Sequence, residues 1–329
     1  MKFVVGLLLG CSLGLGVSPG HAITLVDGGY SDSLVADFPE ATTGFGGLTL
    51  DTDGSILVTS HGAKKIFRVS PTGNVEVLAV ADAAVEELLD VTRISPDTIL
   101  VTTRWRPQFY TLDAGGSSLV PLPDLVDTRN PMALEIAPST FGTFGGKAIY
   151  PTFAHYGVEA IDLQTLVVTP VADVDFLADI EFSTAGRLFG VSFDANNVVE
   201  IHSDGSFSTL ATLPTEGTPF GSSRPDGLAI HPSTHHIYVA EPYSQRIFEV
   251  DLDGNLSVFA EDVMFDPDFF VSGMQFSADG RKLYYLSGDT SQSLRLITGF
   301  PAVPEPTTTT LVLYAPCMCA ALRINRRGH

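Results

Sequence analysis

The clearest pattern of apolar and polar positions runs from Arg224 to Ala260. Arg224-Pro-Asp-Gly-Leu-Ala-Ile-His-Pro is followed by Ile237-Tyr-Val-Ala, by Arg246-Ile-Phe-Glu-Val-Asp-Leu-Asp-Gly-Asn and by Leu256-Ser-Val-Phe-Ala. Each run is alternating or β-branched, and Pro, Gly and Asp separate the runs, so the stretch predicts four short strands joined by tight turns. The second strand recurs as Ile56-Leu-Val, Ile99-Leu-Val, Ile149-Tyr-Pro, Leu188-Phe-Gly, Ile237-Tyr-Val and Leu283-Tyr-Tyr. The third recurs as Ile66-Phe-Arg-Val, Phe109-Tyr-Thr-Leu, Val158-Glu-Ala-Ile, Val198-Val-Glu-Ile, Ile247-Phe-Glu-Val and Leu294-Arg-Leu-Ile. Successive copies lie 39 to 50 residues apart, the length of a four-stranded propeller blade.

The sixth copy stops after its third strand, near Phe300. The body begins with Ser33-Leu-Val-Ala-Asp37, a segment like the fourth strands Val75-Glu-Val-Leu-Ala and Leu256-Ser-Val-Phe-Ala. The pattern therefore predicts an all-β, six-bladed propeller over residues 23–300, with the N-terminal strand closing the last blade. Closure removes the exposed sheet edges that invite aggregation, and a single closed ring predicts a monomer.

Both ends break the pattern. Residues 1–22 have Lys2, an apolar and Gly-rich run from Phe3 to Val17, and Gly20-His21-Ala22. That order predicts a secretory signal cleaved after Ala22. Residues 301–329 hold Pro304-Glu305-Pro306, four threonines, an apolar stretch from Leu311 to Leu322, and Arg323, Arg326 and Arg327. An apolar stretch ending in arginines halts in a bilayer with the arginines on the cytoplasmic side. The tail resembles the PEP-CTERM sorting signal of bacteria, although its apolar run is short and interrupted by Pro316. The resemblance implies export across the inner membrane, transient anchoring through the tail, and an exosortase with the export machinery as partners. It places the protein at the cell surface or in the extracellular matrix.

Composition sharpens this division. The chain has 329 residues, 18 bases and 38 acids. Lys2, Arg323, Arg326, Arg327 and Glu305 belong to the ends, so the body retains 14 bases against 37 acids, a net −23. Nucleic acid is excluded as a partner, because phosphate binding needs clustered Lys and Arg. Cys11, Cys317 and Cys319 all lie in the ends, so thiol catalysis and disulfides are excluded from the body.

The Pro225-Asp-Gly-Leu-Ala-Ile stretch, the Ile237-Tyr-Val-Ala strand and the Val250-Asp-Leu-Asp-Gly-Asn turn resemble NHL-repeat and gluconolactonase/senescence-marker propellers. The likeness spans residues 23–300 and is sharpest in blades one, five and six. It implies one divalent cation such as calcium at the channel mouth, held by Glu, Asn and Asp from different blades and used on a lactone. Hard cations take oxygen ligands, and a bound cation polarises a carbonyl and activates water. The residues entering the inner strands are Gly46, Asp90, Met132, Ala178, Asp226 and Ser272, with Asn130 and Asp179 one or two places away. Only Asp226 matches the family's ligand motif; Asp90 and Asp179 are the other metal candidates, and Asp90, in the blade facing blade five, is expected to converge with Asp226. The alternative for Asp226 is a turn cap.

The same face receives the loops between second and third strands. They carry Arg104-Trp105-Arg106, Tyr156 and Tyr243 as binding candidates, since aromatics and Arg are enriched at binding hot spots and aromatic faces stack on sugars. His231, His235 and His236 flank a hairpin turn, a setting that favours a structural role. Asp51-Thr-Asp53-Gly and Asp251-Leu-Asp253-Gly lack the closing Glu of a calcium loop and read as turns. Two functions follow. One is a surface or matrix binding protein with an exopolysaccharide or another surface ligand. The other is a metal-dependent, lactonase-like hydrolase around Asp226.

Overall fold

A computed structural model describes residues 23–301 apart from segments 39–43, 83–86, 105–108, 114, 123–129, 154–156, 216–223, 266–272 and 289–291. The expected secretory signal and the expected sorting motif of Pro304, Glu305, Pro306, Arg326 and Arg327 lie outside the described residues.

The described residues form twenty-five strands and one short 3-10 turn at Gly142–Phe144. β1 (Thr24–Leu25) and β2 (Ser31–Asp37) come first. Blade one is β3 (Phe45–Leu50), β4 (Ile56–Ser60), β5 (Lys65–Val69) and β6 (Val75–Val80). Blade two is β7 (Glu87–Ser95), β8 (Thr98–Arg104), β9 (Phe109–Asp113) and β10 (Val120–Pro121). Blade three is β11 (Glu135–Ile136), β12 (Ala148–Thr152), β13 (Gly157–Ile161) and β14 (Val168–Ala172). Blade four is β15 (Leu177–Phe182), β16 (Leu188–Ser192), β17 (Asn197–Ile201) and β18 (Phe207–Thr212). Blade five is β19 (Gly227–Ile230), β20 (Ile237–Glu241), β21 (Arg246–Val250) and β22 (Leu256–Glu261). Blade six is β23 (Met274–Phe276), β24 (Lys282–Ser287), β25 (Ser293–Thr298) and the returning β2.

Every blade is antiparallel, and the expected closure is present. β2 pairs with β25 from Ser31↔Thr298 to Asp37↔Ser293. A buried ion pair between Arg295 and Asp32 locks this junction, and the Tyr285 hydroxyl donates to the same carboxylate at 2.9 Å. The sequence pattern missed β1, which adds a fifth strand to blade five by pairing Thr24↔Glu261 and Leu25↔Ala260.

The core is divided as a ring divides it. Six apolar clusters lie between neighbouring blades, for example Phe189, Val191, Val239 and Phe248 between blades four and five. Leu57, Ile66, Leu88 and Ile99 do the same between blades one and two. Second strands such as Ile56–Ser60 and Ile237–Glu241 are buried along their whole length, because both faces of each blade pack against another blade. The acidic hairpins are turns, as their sequence suggests. Gly54 and Gly254 stand at φ of 80° and 83°, and their amides donate to the carbonyls of Asp51 and Asp251 at 2.9 and 3.1 Å. A positive φ of this kind favours glycine.

Candidate functional site at the channel mouth

Strand register decides which residues of the six inner strands are equivalent. Leu48 faces Val58, Val91 faces Val101, Ile180 faces Gly190, Leu228 faces Val239, and Met274 faces Tyr285. On this register Asp90 and Asp179 are level with Gly47 and Gly227. Asp226 stands one position earlier, level with Gly46, Leu89 and Ala178. The placing of Asp90 at the same level as Asp226 is therefore corrected. Leu88 and Leu89 extend the apolar run ahead of Asp90, and a register shift between Leu88 and Val91 hides where the paired strand begins.

The side chains at these levels lace one blade to the next. Asp90 accepts the Val91 amide at 2.8 Å and the Leu134 amide of blade three at 2.7 Å. Asp179 repeats the arrangement, taking Ile180 at 2.8 Å and Leu228 of blade five at 2.9 Å. One level deeper, Glu181 accepts the Ile230 amide at 2.9 Å, and Gln275 accepts the Leu50 amide at 2.7 Å across the closing junction. The Thr59 hydroxyl donates to the Leu89 carbonyl at 2.7 Å between blades one and two.

These groups face an axial cavity lined by Asp90, Glu135, Asp179, Glu181, Thr49 and Gln275, with no Lys or Arg among its described lining residues. Burial dominates the electrostatics, since a low-dielectric setting disfavours the charged carboxylate. It pushes Asp179 up to about 7, against the opposing pull of its two amide donors. Asp90 is raised well above the carboxylate range by burial and then by repulsion from Asp179. Glu135 is raised by burial, Asp90 and Asp179, and Glu181 by burial, Glu135 and Asp179. Burial and mutual repulsion therefore favour the protonated form of these carboxyls over the anion. Sequence reading missed Glu135 and Glu181; the ring Thr49, Thr92, Glu135, Glu181, Ala229 and Gln275, two residues inward on each strand, was the available signal.

The mouth is organised from blade five. Asp226 is 1% exposed, and its amide donates to the Ala240 carbonyl at 3.2 Å. Asp90 stands one position deeper than Asp226, and the carboxyl that raises it is that of Asp179. Glu241, fully buried at the end of β20, accepts the amides of Arg224 at 3.1 Å, Tyr243 at 3.0 Å and Ser244 at 2.6 Å. Arg224 then lies between two rings, 5.0 Å from the Phe193 centroid and 5.3 Å from that of Tyr243, and donates to the Tyr243 hydroxyl at 3.0 Å. Phe193 continues to Phe176 at 5.5 Å, and Phe176 to the half-exposed Phe153 at 4.9 Å. Of the binding candidates, Tyr243 falls in this cluster. Arg104 ends β8 with its side chain outside the described set, and Trp105, Arg106 and Tyr156 lie outside the described residues, as does Ser272.

Among the described residues the donors level with Asp226 do not repeat the Glu, Asn and Asp set of the resembled cation site. The positions level with Asp226 include Gly46, Leu89, Met132 and Ala178, while Asp90 and Asp179 are committed to backbone amides deeper in the channel. Among the described residues no group of three or more His, Cys, Asp or Glu is arranged to hold a metal ion. On the opposite face His231 is buried and accepts the Ser233 and Thr234 amides at 3.3 and 3.2 Å, and His236 pairs with Glu249 at 2.7 Å. The three histidines are hairpin fittings.

No protein-family model matches the chain, and no curated protein matches it in sequence. Solved structures do match in shape. A gluconolactonase from Xanthomonas campestris is 13% identical with a TM-score of 0.64, covering 85% of this chain and 95% of that one. A calcium-binding protein, regucalcin, from Agrobacterium tumefaciens strain C58 is 16% identical with a TM-score of 0.62, covering 83% and 95%. A streptogramin B lyase is 13% identical with a TM-score of 0.58, covering 82% and 97%. The chain is a six-bladed propeller similar in structure to gluconolactonase and regucalcin. At these identities the likeness establishes the fold alone.

Proposed function

We propose that the protein is an exported binding propeller of the cell surface or extracellular matrix, sorted by an exosortase, whose channel-mouth face holds a surface ligand such as an exopolysaccharide. The observation that carries this reading is the use made of the channel carboxyls. Asp90, Asp179 and Glu181 each accept an amide from the neighbouring blade, so they hold the ring and are not presented at the mouth. The mouth instead presents Arg224 and Tyr243 over a row of aromatic rings, the side chains that dominate binding surfaces.

The direct test is a glycan and exopolysaccharide screen with the purified full chain and its Trp105→Ala and Tyr243→Ala variants. Retention of a glycan that either variant loses is the expected result; retention unchanged in both takes these side chains out of the site. Mass spectrometry of the protein recovered from the cell envelope and medium checks export. The expected N-terminus is Ile23, and a chain found only in the cytoplasm with Met1 in place overturns that part.

A second reading, a lactonase-like hydrolase taking a divalent cation such as calcium near Asp226, draws on the structural likeness to a gluconolactonase and a calcium-binding protein. Lactone hydrolysis by the wild type in calcium, zinc or manganese, lost in Asp226→Ala at unchanged stability, would establish it over the binding reading.

A further inference from the structure

We infer that Arg224, clamped between Phe193 and Tyr243, is the receptor for a single carboxylate on the ligand, which makes the ligand a sugar acid. The inference rests on the binding reading above and names the chemistry at its mouth.

Among the described arginine side chains two, Arg224 and the exposed Arg281, have no carboxylate pair, and of these Arg224 lies against aromatic rings. Arg68, Arg93, Arg187, Arg246 and Arg295 each pair with a carboxylate: Asp53, Asp51, Glu200, Glu261 and Asp32 respectively. Among the described residues the Arg224 guanidinium meets no carboxylate, the one contact to Glu241 being through the backbone amide. Its side chain is met by two aromatic faces and one tyrosine hydroxyl. In a chain of net charge −20, an arginine left without a counter-charge beside a mouth is matched by an anion from outside.

The group is also held ready. The carboxylate of Glu241 accepts the backbone amides of Arg224 and Tyr243 together, so the two halves of the clamp share one buried anchor. Ring faces hold the guanidinium plane without neutralising it, by cation–π attraction. One Nη1–H is directed to Tyr243; the remaining N–H groups of the fork are those that grip a planar carboxylate with two parallel bonds. The row Phe193, Phe176 and Phe153 runs from the clamp over blades four and three, and Phe153 is 36% exposed at its end. A planar anion site beside the part-buried ring of Tyr243 fits a pyranose carrying one carboxylate, with the C–H face of the sugar towards that ring. An extended polyanion fits less well, because a strongly acidic protein repels many negative charges brought to one face.

Titration calorimetry of the full chain with D-glucuronate, D-galacturonate, D-glucose and sodium sulfate tests this. A uronate is expected to bind at least tenfold more tightly than glucose, and acetate is expected to compete better than sulfate. Arg224→Gln should abolish the preference, and Arg224→Lys, which keeps the charge and loses the planar fork, should weaken uronate binding by at least tenfold. Thermal scans show that each variant is folded, and if one is not, the other carries the test. Equal affinity for uronate and glucose, an Arg224→Gln variant that binds uronate as the wild type does, or stronger competition from sulfate overturns the assignment. A glycan captured in the screen with affinity unchanged in Arg224→Gln would leave the binding reading standing and this inference refuted. Capture of no glycan and no sugar acid refutes both.

Discussion

Asp90, Asp179, Glu135 and Glu181 look into a cavity without a base among its described lining, while Asp32, Asp51, Asp53 and Glu200 each meet an arginine. In the channel, burial and mutual repulsion raise the carboxyls. At the outer hairpins, hydrogen bonds and nearby Arg68 lower Asp53, and the hydrogen bond from Arg187 lowers Glu200. Carboxyls thus lace backbone amides of neighbouring blades inside and brace arginines elsewhere. The net charge therefore mixes two settings, and its count says little about the site.

The comparison can be broken most severely at the ring junction. Asp32→Ala leaves the buried Arg295 without its partner, and removal of one member of a buried pair costs about 3–5 kcal/mol; urea unfolding should show a loss of that size. Gly47→Ala comes next. A Cβ there would lie 1.7 Å from Asp90 Oδ1, and overpacking of this kind costs about 1–3 kcal/mol. Asp90→Gly in the same chain should recover most of the loss, so a double-mutant cycle must give strong coupling; additive losses would mean that Asp90 does not occupy that space. Arg187→Met should matter least. Its pair with Glu200 is half exposed at the arginine end, 38% against 15%, and such pairs contribute under about 1 kcal/mol. A loss that fades in high salt is expected.

The fold was legible because it is written six times. Ile237-Tyr-Val and its five counterparts mark second strands that are buried throughout, and the missing fourth strand of blade six pointed to closure before any register was known. β1 was not legible, since two residues carry no alternation. The site was legible in part. Tyr243 was found because an aromatic in a loop stands out, and Asp226 because its Pro-Asp-Gly is a motif. Arg224 did not stand out, for its meaning lies in lacking a carboxylate partner, which only three-dimensional neighbours reveal. Asp90 was misaligned because apolar residues flank it on both sides. Glu135 and Glu181 were overlooked because they sit inside strands whose pattern reads as core.

The most direct measurement is the unfolding free energy of the full chain from pH 4.5 to 8.5, beside that of an Asp90→Asn/Asp179→Asn variant. Folded carboxyls raised above their unfolded range bind protons that the unfolded chain has released. Their stabilisation is full below about pH 4 and is lost as pH rises through about 7, the position of Asp179. The hairpin carboxylates act in the opposite sense, losing stability as pH falls below about 4. The wild type should therefore weaken between pH 5 and 8, while the variant, in which each Asn keeps one acceptor oxygen for Leu134 or Leu228 and gives up the bond from Val91 or Ile180, should be flatter and gain on the wild type as pH rises by on the order of 2 kcal/mol. Parallel curves for the two proteins over that range would show that the channel carboxyls are ionised in the folded ring and contradict the account.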